Sequence, residues 1–117
     1  MKILFVDDNN LNRMLIEEMI DVLFEDVIVD VFSSANEVLK ADIHNYDLIL
    51  SDVSMPDIDG YELYTLLREK NYTNPIIAVT ALAIQGDKEK ILIHGFSDYI
   101  SKPIDINQLK SVIQKYT

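Results

Sequence analysis

A chain of 117 residues with 49% hydrophobic and 26% charged residues has the length of one domain and enough apolar side chains for one core, which excludes disordered and fibrous polypeptides and makes residues 1–117 one expected domain. The net charge is −10, and residues 1–59 alone hold 14 acids against 3 bases, so the basic footprint demanded by nucleic acid or an anionic membrane surface is missing. The absence of cysteine removes disulfides, zinc–thiolate centres and thiol nucleophiles.

Ile3-Leu4-Phe5-Val6 reads as a buried strand, too short before Asp7 for a signal peptide. No apolar stretch long enough to cross a bilayer follows, and a cytoplasmic protein without membrane contact is expected. Leu11, Leu15, Met19, Val22 and Leu23 recur at helical spacing behind an Asn9 or Asn10 cap, while Glu17, Asp21 and Glu25 form a solvated acidic stripe on the same helix. Met14, Met19 and Met55 read as core or loop packing. Val27 to Val31 is a second strand, and Ser34-Ala35-Asn36-Glu37 is a capping box for a short helix through about Lys40. Leu48-Ile49-Leu50 is a third strand. A turn over Ser54–Gly60, to which Asp57 and Asp59 belong, precedes a helix carrying Leu63, Leu66 and Leu67. Ile76 to Val79 forms a fourth strand, and a helix from about Asp87 stops at Gly95. Tyr99-Ile100 is a short fifth strand, and a second capping box, Asp105 to Gln108, opens a helix bearing Leu109, Val112 and Ile113. His44, in an expected loop, and His94, near a helix end, read as surface residues.

Strands that are apolar throughout belong to sheets covered on both faces, so five strand–helix units predict an open, doubly wound, parallel α/β sheet. Ligands of such sheets bind outside the carboxyl ends of the strands. There the sequence places Asp7 and Asp8, Asp52, Thr80, and Lys102-Pro103. Three facing carboxylates repel one another and call for a cation, and oxygen-only ligands suit Mg²⁺, Mn²⁺ or Ca²⁺. Mg²⁺ is favoured because it takes few carboxylates and bridges phosphate oxygens. A lysine and a threonine complete a phosphoryl site, and without a P-loop the phosphoryl group is not expected as a bound nucleotide.

Val6-Asp7-Asp8-Asn9, Leu48 to Asp52 with Met55 to Gly60, Val79-Thr80-Ala81 and Asp98 to Pro103 together resemble, over essentially the whole chain, the receiver domains of two-component response regulators. The resemblance implies a flavodoxin-like five-stranded sheet of order 2-1-3-4-5 with five helices. It also implies that Asp52 accepts a phosphoryl group from a phosphohistidine on a histidine kinase or histidine-phosphotransfer protein. Asp7, Asp8, Asp52 and the Ser54 carbonyl would hold Mg²⁺, Thr80 and Lys102 would contact phosphoryl oxygens, and Lys102–Pro103 would be cis. Thr80 and Tyr99 would switch the helix 4–strand 5–helix 5 face, and Ser54 and Leu82 would help to set the dephosphorylation rate. Such chemistry is self-directed, so no enzyme acting on a separate metabolite is expected, and the state is monomer or weak dimer. The donor is expected over helix one, with Asn12 and Arg13 as contacts.

A haloacid-dehalogenase-type phosphohydrolase would carry a second acid two residues after its nucleophile, and Asp52-Val53-Ser54 lacks it. A flavodoxin-like flavin carrier would need a hydroxyl-rich loop after strand one, where Asp8-Asn9-Asn10 stands instead. Residues 3 to 117 are filled by the receiver pattern, so no output domain is expected within them. A stand-alone relay protein and a receiver of a hybrid sensor kinase both remain open.

Overall fold

Consecutive apolar residues drive the three central strands inside: β1 (Lys2–Val6), β3 (Leu48–Asp52) and β4 (Ile76–Thr80) are buried almost throughout. β2 (Ile28–Phe32) and β5 (Asp98–Ser101) flank them, and the five strands run parallel in the order 2-1-3-4-5. The helices are α1 (Asn10–Leu23), α2 (Ala35–Lys40), α3 (Gly60–Glu69), α4 (Gln85–His94) and α5 (Ile106–Lys115). This computed structural model describes residues 1–81 and 85–117, so Leu82 lies outside the described residues. Among them, no helix is long and apolar enough to cross a membrane.

Side chains alternate across the sheet and build two cores. Ile3, Phe5, Leu48, Leu50, Ile77 and Val79 pack with Ile16 and Ile20 of α1 and Leu109, Val112 and Ile113 of α5. Leu4, Val6, Ile49 and Ala78 face Val38 of α2, Leu63 and Leu67 of α3 and Ile91 of α4. Both chain ends lie at the rim where the strands begin. The Met1 carbonyl accepts from the Ile28 amide at 3.0 Å. The Tyr116 hydroxyl donates to the carbonyl of Ser97, just ahead of β5, at 2.8 Å.

Several local expectations change. The α1 face turned to the sheet is that of Ile16 and Ile20, whereas Leu11, Leu15 and Val22 are exposed, as is Met14. The helix carries two apolar stripes, and the larger buried contact selects one. Asn9 caps α1 by accepting from the Asn12 amide at 3.2 Å. Ser34 caps α2 as expected, but the Glu37 carboxylate reaches back to the Ser33 amide, one residue earlier than a capping box requires. Asp105 caps α5 through the Asn107 amide, and Gln108 turns away to accept from the Ser101 amide at 3.3 Å. His44 sits in a short 3₁₀ turn, Ile43–Asn45, rather than an open loop. α4 begins at Gln85. Asp57 takes a left-handed φ of 67° in the turn, and Asp59 caps α3 by accepting from the Glu62 amide.

Candidate functional site

Strand register brings the chemistry together. Val6 pairs with Ser51, Asp52 with Val79 and Thr80 with Ser101, so Asp7, Asp52, Thr80 and Lys102 emerge side by side at one rim. They line a cleft of about 490 Å³ together with Asp8, Asn9, Asn12, Ser54 and Ala81. Asp7 is 0%, Asp52 4% and Thr80 3% exposed, whereas Asp8 stands in solvent. The Lys102–Pro103 peptide is cis.

The Lys102 ammonium lies 3.0 Å from Asp7 Oδ2 and 3.1 Å from Asp52 Oδ1, bridging two buried carboxylates. The Ser54 amide donates to Asp52 Oδ1 at 3.3 Å, and the Asn9 amide donates to Asp7 Oδ1 at 2.8 Å. One carboxylate oxygen from each of Asp7, Asp8 and Asp52 falls within 4.8 Å of the others. One lysine against three aspartates leaves the cleft two negative charges in excess, and the three acidic groups that could hold a metal there offer oxygen ligands. The residues present therefore fit a hard divalent cation that accepts few carboxylates, which Mg²⁺ is.

Burial, then the charge of Asp7, pushes the Asp52 carboxyl up to about 6, with Lys102 opposing. Burial alone would lower the Lys102 ammonium, but hydrogen bonds and charge from both aspartates hold it above the usual lysine range. A carboxyl with a raised folded pKa binds more protons folded than unfolded, so its ionisation destabilises the fold as pH rises from about 4 to about 6. Asp52→Asn is therefore expected to gain stability relative to the metal-free wild type across that window and to keep the gain above it. Urea melts of both proteins in EDTA from pH 4 to 8 check this, and a constant difference across the range contradicts it.

Of the remaining expected residues, two are placed differently. Asn12 and Arg13 turn inward. Asn12 Nδ2 donates to Asp7 Oδ2 at 3.1 Å, and the Arg13 guanidinium donates to the Asp7 carbonyl at 2.7 Å and to Asn10 Oδ1 at 3.2 Å. In the first half of α1 the exposed large apolar residues are Leu11, Met14 and Leu15. Tyr99 is half-buried on β5 beside Ala78, with the Lys88 ammonium 5.2 Å above its ring. His94 lies away from the cleft, its Nε2 3.0 Å from the Tyr61 carbonyl. Asn9 and Asn12 also line the cleft, a placement whose signal in the sequence is the run of short amides directly after Asp7-Asp8. A second groove, between α1 and β2, is lined only by Glu17, Glu18, Asp21 and aliphatic side chains, and the acidic stripe there is solvated charge.

Residues 3–114 match the family model of the response regulator receiver domain. The chain is 38% identical to the signal transduction histidine-protein kinase BarA of Escherichia coli K12, covering 99% of this chain and 13% of that kinase. It is 40% identical to an uncharacterised 14.6 kDa protein of Leptolyngbya boryana, covering 99% of this chain and 89% of that protein. Among solved structures, the receiver domain of sensor histidine kinase PA1611 from Pseudomonas aeruginosa PAO1, with a magnesium ion coordinated in its active-site cleft, superposes with a TM-score of 0.83 at 34% identity, covering 98% of this chain and 95% of that one. The chemotaxis protein CheY4 of Vibrio cholerae shares the fold, with a TM-score of 0.83 at 23% identity over 99% and 98% of the two chains.

Proposed function

Because the chain belongs to the response regulator receiver domain family, homologous to receivers of hybrid sensor kinases and to small receiver proteins, we propose that residues 1–117 form one receiver domain in which Asp52 is the phosphoacceptor. The observation that carries this reading is the buried Asp52 carboxylate, held by Lys102 and the Ser54 amide on the floor of a cleft that also presents Asp7 and Asp8. In the step, an Asp52 oxygen forms a bond to phosphorus as the N–P bond of a donor phosphohistidine breaks, and the imidazole leaves with the electron pair. Asp7, Asp8, Asp52 and the Ser54 carbonyl would hold Mg²⁺, which when bound supplies neutralisation of charge on the transferring group.

Lys102 follows the new negative charge from the Asp52 carboxylate to the phosphoryl oxygens, a compact cation suited to one of them. Thr80, one strand over, offers its hydroxyl to another. Ala81 leaves the approach open beside it. Movement of Thr80 toward the phosphoryl group changes the packing space beside Tyr99, which couples the cleft to the α4–β5–α5 face. The donor is a histidine kinase or histidine-phosphotransfer protein docking over α1, where Leu11, Met14 and Leu15 are exposed apolar residues. The chemistry is self-directed phosphotransfer in the cytoplasm, whether the receiver acts alone or within a hybrid kinase.

Incubation with acetyl phosphate and Mg²⁺ tests the reading. Intact mass is expected to show a phosphoryl adduct of about 80 Da on wild type and none on Asp52→Asn. No adduct on wild type, or one that persists in Asp52→Asn, overturns the assignment.

A further inference from the structure

Resting on the reading of the cleft as a cation site, we propose that Asn12 is a positioning residue that sets which cation the cleft prefers, by fixing how the Asp7 carboxylate is presented. A carboxylate has about four lone-pair directions, two on each oxygen. Asp7 is 0% exposed, so water does not compete for them. Among the described residues, Oδ1 accepts from the Asn9 amide at 2.8 Å, while Oδ2 accepts from Lys102 Nζ at 3.0 Å and Asn12 Nδ2 at 3.1 Å. Both directions on Oδ2 are taken. That leaves one direction, on Oδ1, and Asp7 is held to one-oxygen contact with a cation, or cation-bound water, in the cleft.

That restriction discriminates by ion size. Mg²⁺ demands near-octahedral geometry with single-oxygen carboxylates, whereas Ca²⁺ accepts more ligands and takes carboxylates through both oxygens. Lys102 cannot enforce the restriction throughout, because its ammonium is shared with Asp52 Oδ1 at 3.1 Å and is drawn to a phosphoryl group placed there. The Asn12 amide is neutral and has no such competing role. It is also anchored: the Asn12 backbone amide donates to Asn9 Oδ1, and neighbouring Arg13 ties the same turn of α1 to the Asp7 carbonyl at 2.7 Å. Asn12 thus keeps a donor on Oδ2 whether or not Lys102 is drawn away.

Calorimetric titration of Mg²⁺ and of Ca²⁺ into the 117-residue chain, as wild type, Asn12→Leu, Asn12→Ala and Asn12→Gln, tests this. The ratio of the Ca²⁺ to the Mg²⁺ dissociation constant is expected to fall roughly tenfold in the leucine and alanine variants and to return toward the wild-type value in the glutamine variant, whose amide restores a donor. Melting in EDTA reports folding, and alanine, a good helix former on the first turn, covers the case in which leucine misfolds. A folded leucine or alanine variant with the wild-type ratio overturns the proposal, as does an equal fall in all three variants, which loss of packing alone would produce. A wild type that binds neither cation removes the cation reading of the cleft itself, a failure separate from that of Asn12.

Discussion

Gly60→Ala is expected to destabilise the protein by about 3 kcal/mol, at the upper end of the overpacking range, and to remove most phosphoryl uptake from acetyl phosphate. Gly60 opens α3, and its amide donates to the Val53 carbonyl at 2.8 Å, which seats the helix directly on the end of β3. A Cβ at this position would overlap the Asp52 carbonyl oxygen and lie 2.7 Å from Val53 Cα. Both obstacles are backbone, so no rotamer change relieves them; either α3 lifts or the strand end carrying Asp52 shifts. Urea melts and intact-mass kinetics read the two effects. Stability within about 0.5 kcal/mol of wild type would show that the close approach is slack, since that is the scatter of inert surface substitutions.

The second large effect is expected from Lys102→Met, which keeps the aliphatic stem and deletes the cation. The side chains of Lys102, Asp7 and Asp52 are 17%, 0% and 5% exposed, so two carboxylates would be left facing each other out of water. Breaking such a buried cluster costs about 3 kcal/mol in the metal-free protein. Mg²⁺ should then raise the melting temperature of the variant more than that of wild type, because binding to the folded state alone is linked to stability and the variant has more unpaired charge to offset. Melts in EDTA and in excess Mg²⁺ measure both quantities. A variant that melts like wild type in EDTA would mean that the aspartates tolerate each other by protonation.

Much of this fold is legible in sequence because β1, β3 and β4 are apolar at consecutive positions, a pattern expected of a sheet covered on both faces. The convergence of Asp7, Asp8, Asp52, Thr80 and Lys102 follows from the strand-end rule without any local motif. Strand order does not follow from the apolar runs; the 2-1-3-4-5 arrangement came from resemblance. Nor does the docking face of α1, since Ile16 with Ile20 and Leu11 with Leu15 have the same helical spacing and the sheet alone chooses between them. Gln108 misleads for a similar reason. Its spacing from Asp105 fits a local cap, but the Ser101 amide competes for its oxygen from seven residues away. Asn12 stays hidden because the direction of a first-turn side chain depends on how the helix axis leaves the strand, which the chain's own periodicity does not encode.

The placement of both chain ends at the rim where strands begin has a consequence for how the cleft is reached. Met1 is fastened beside the start of β2 and Tyr116 beside the start of β5, while Asp52 opens at the other end of the sheet. The approach to Asp52 therefore does not run past the rim that holds Met1 and Tyr116.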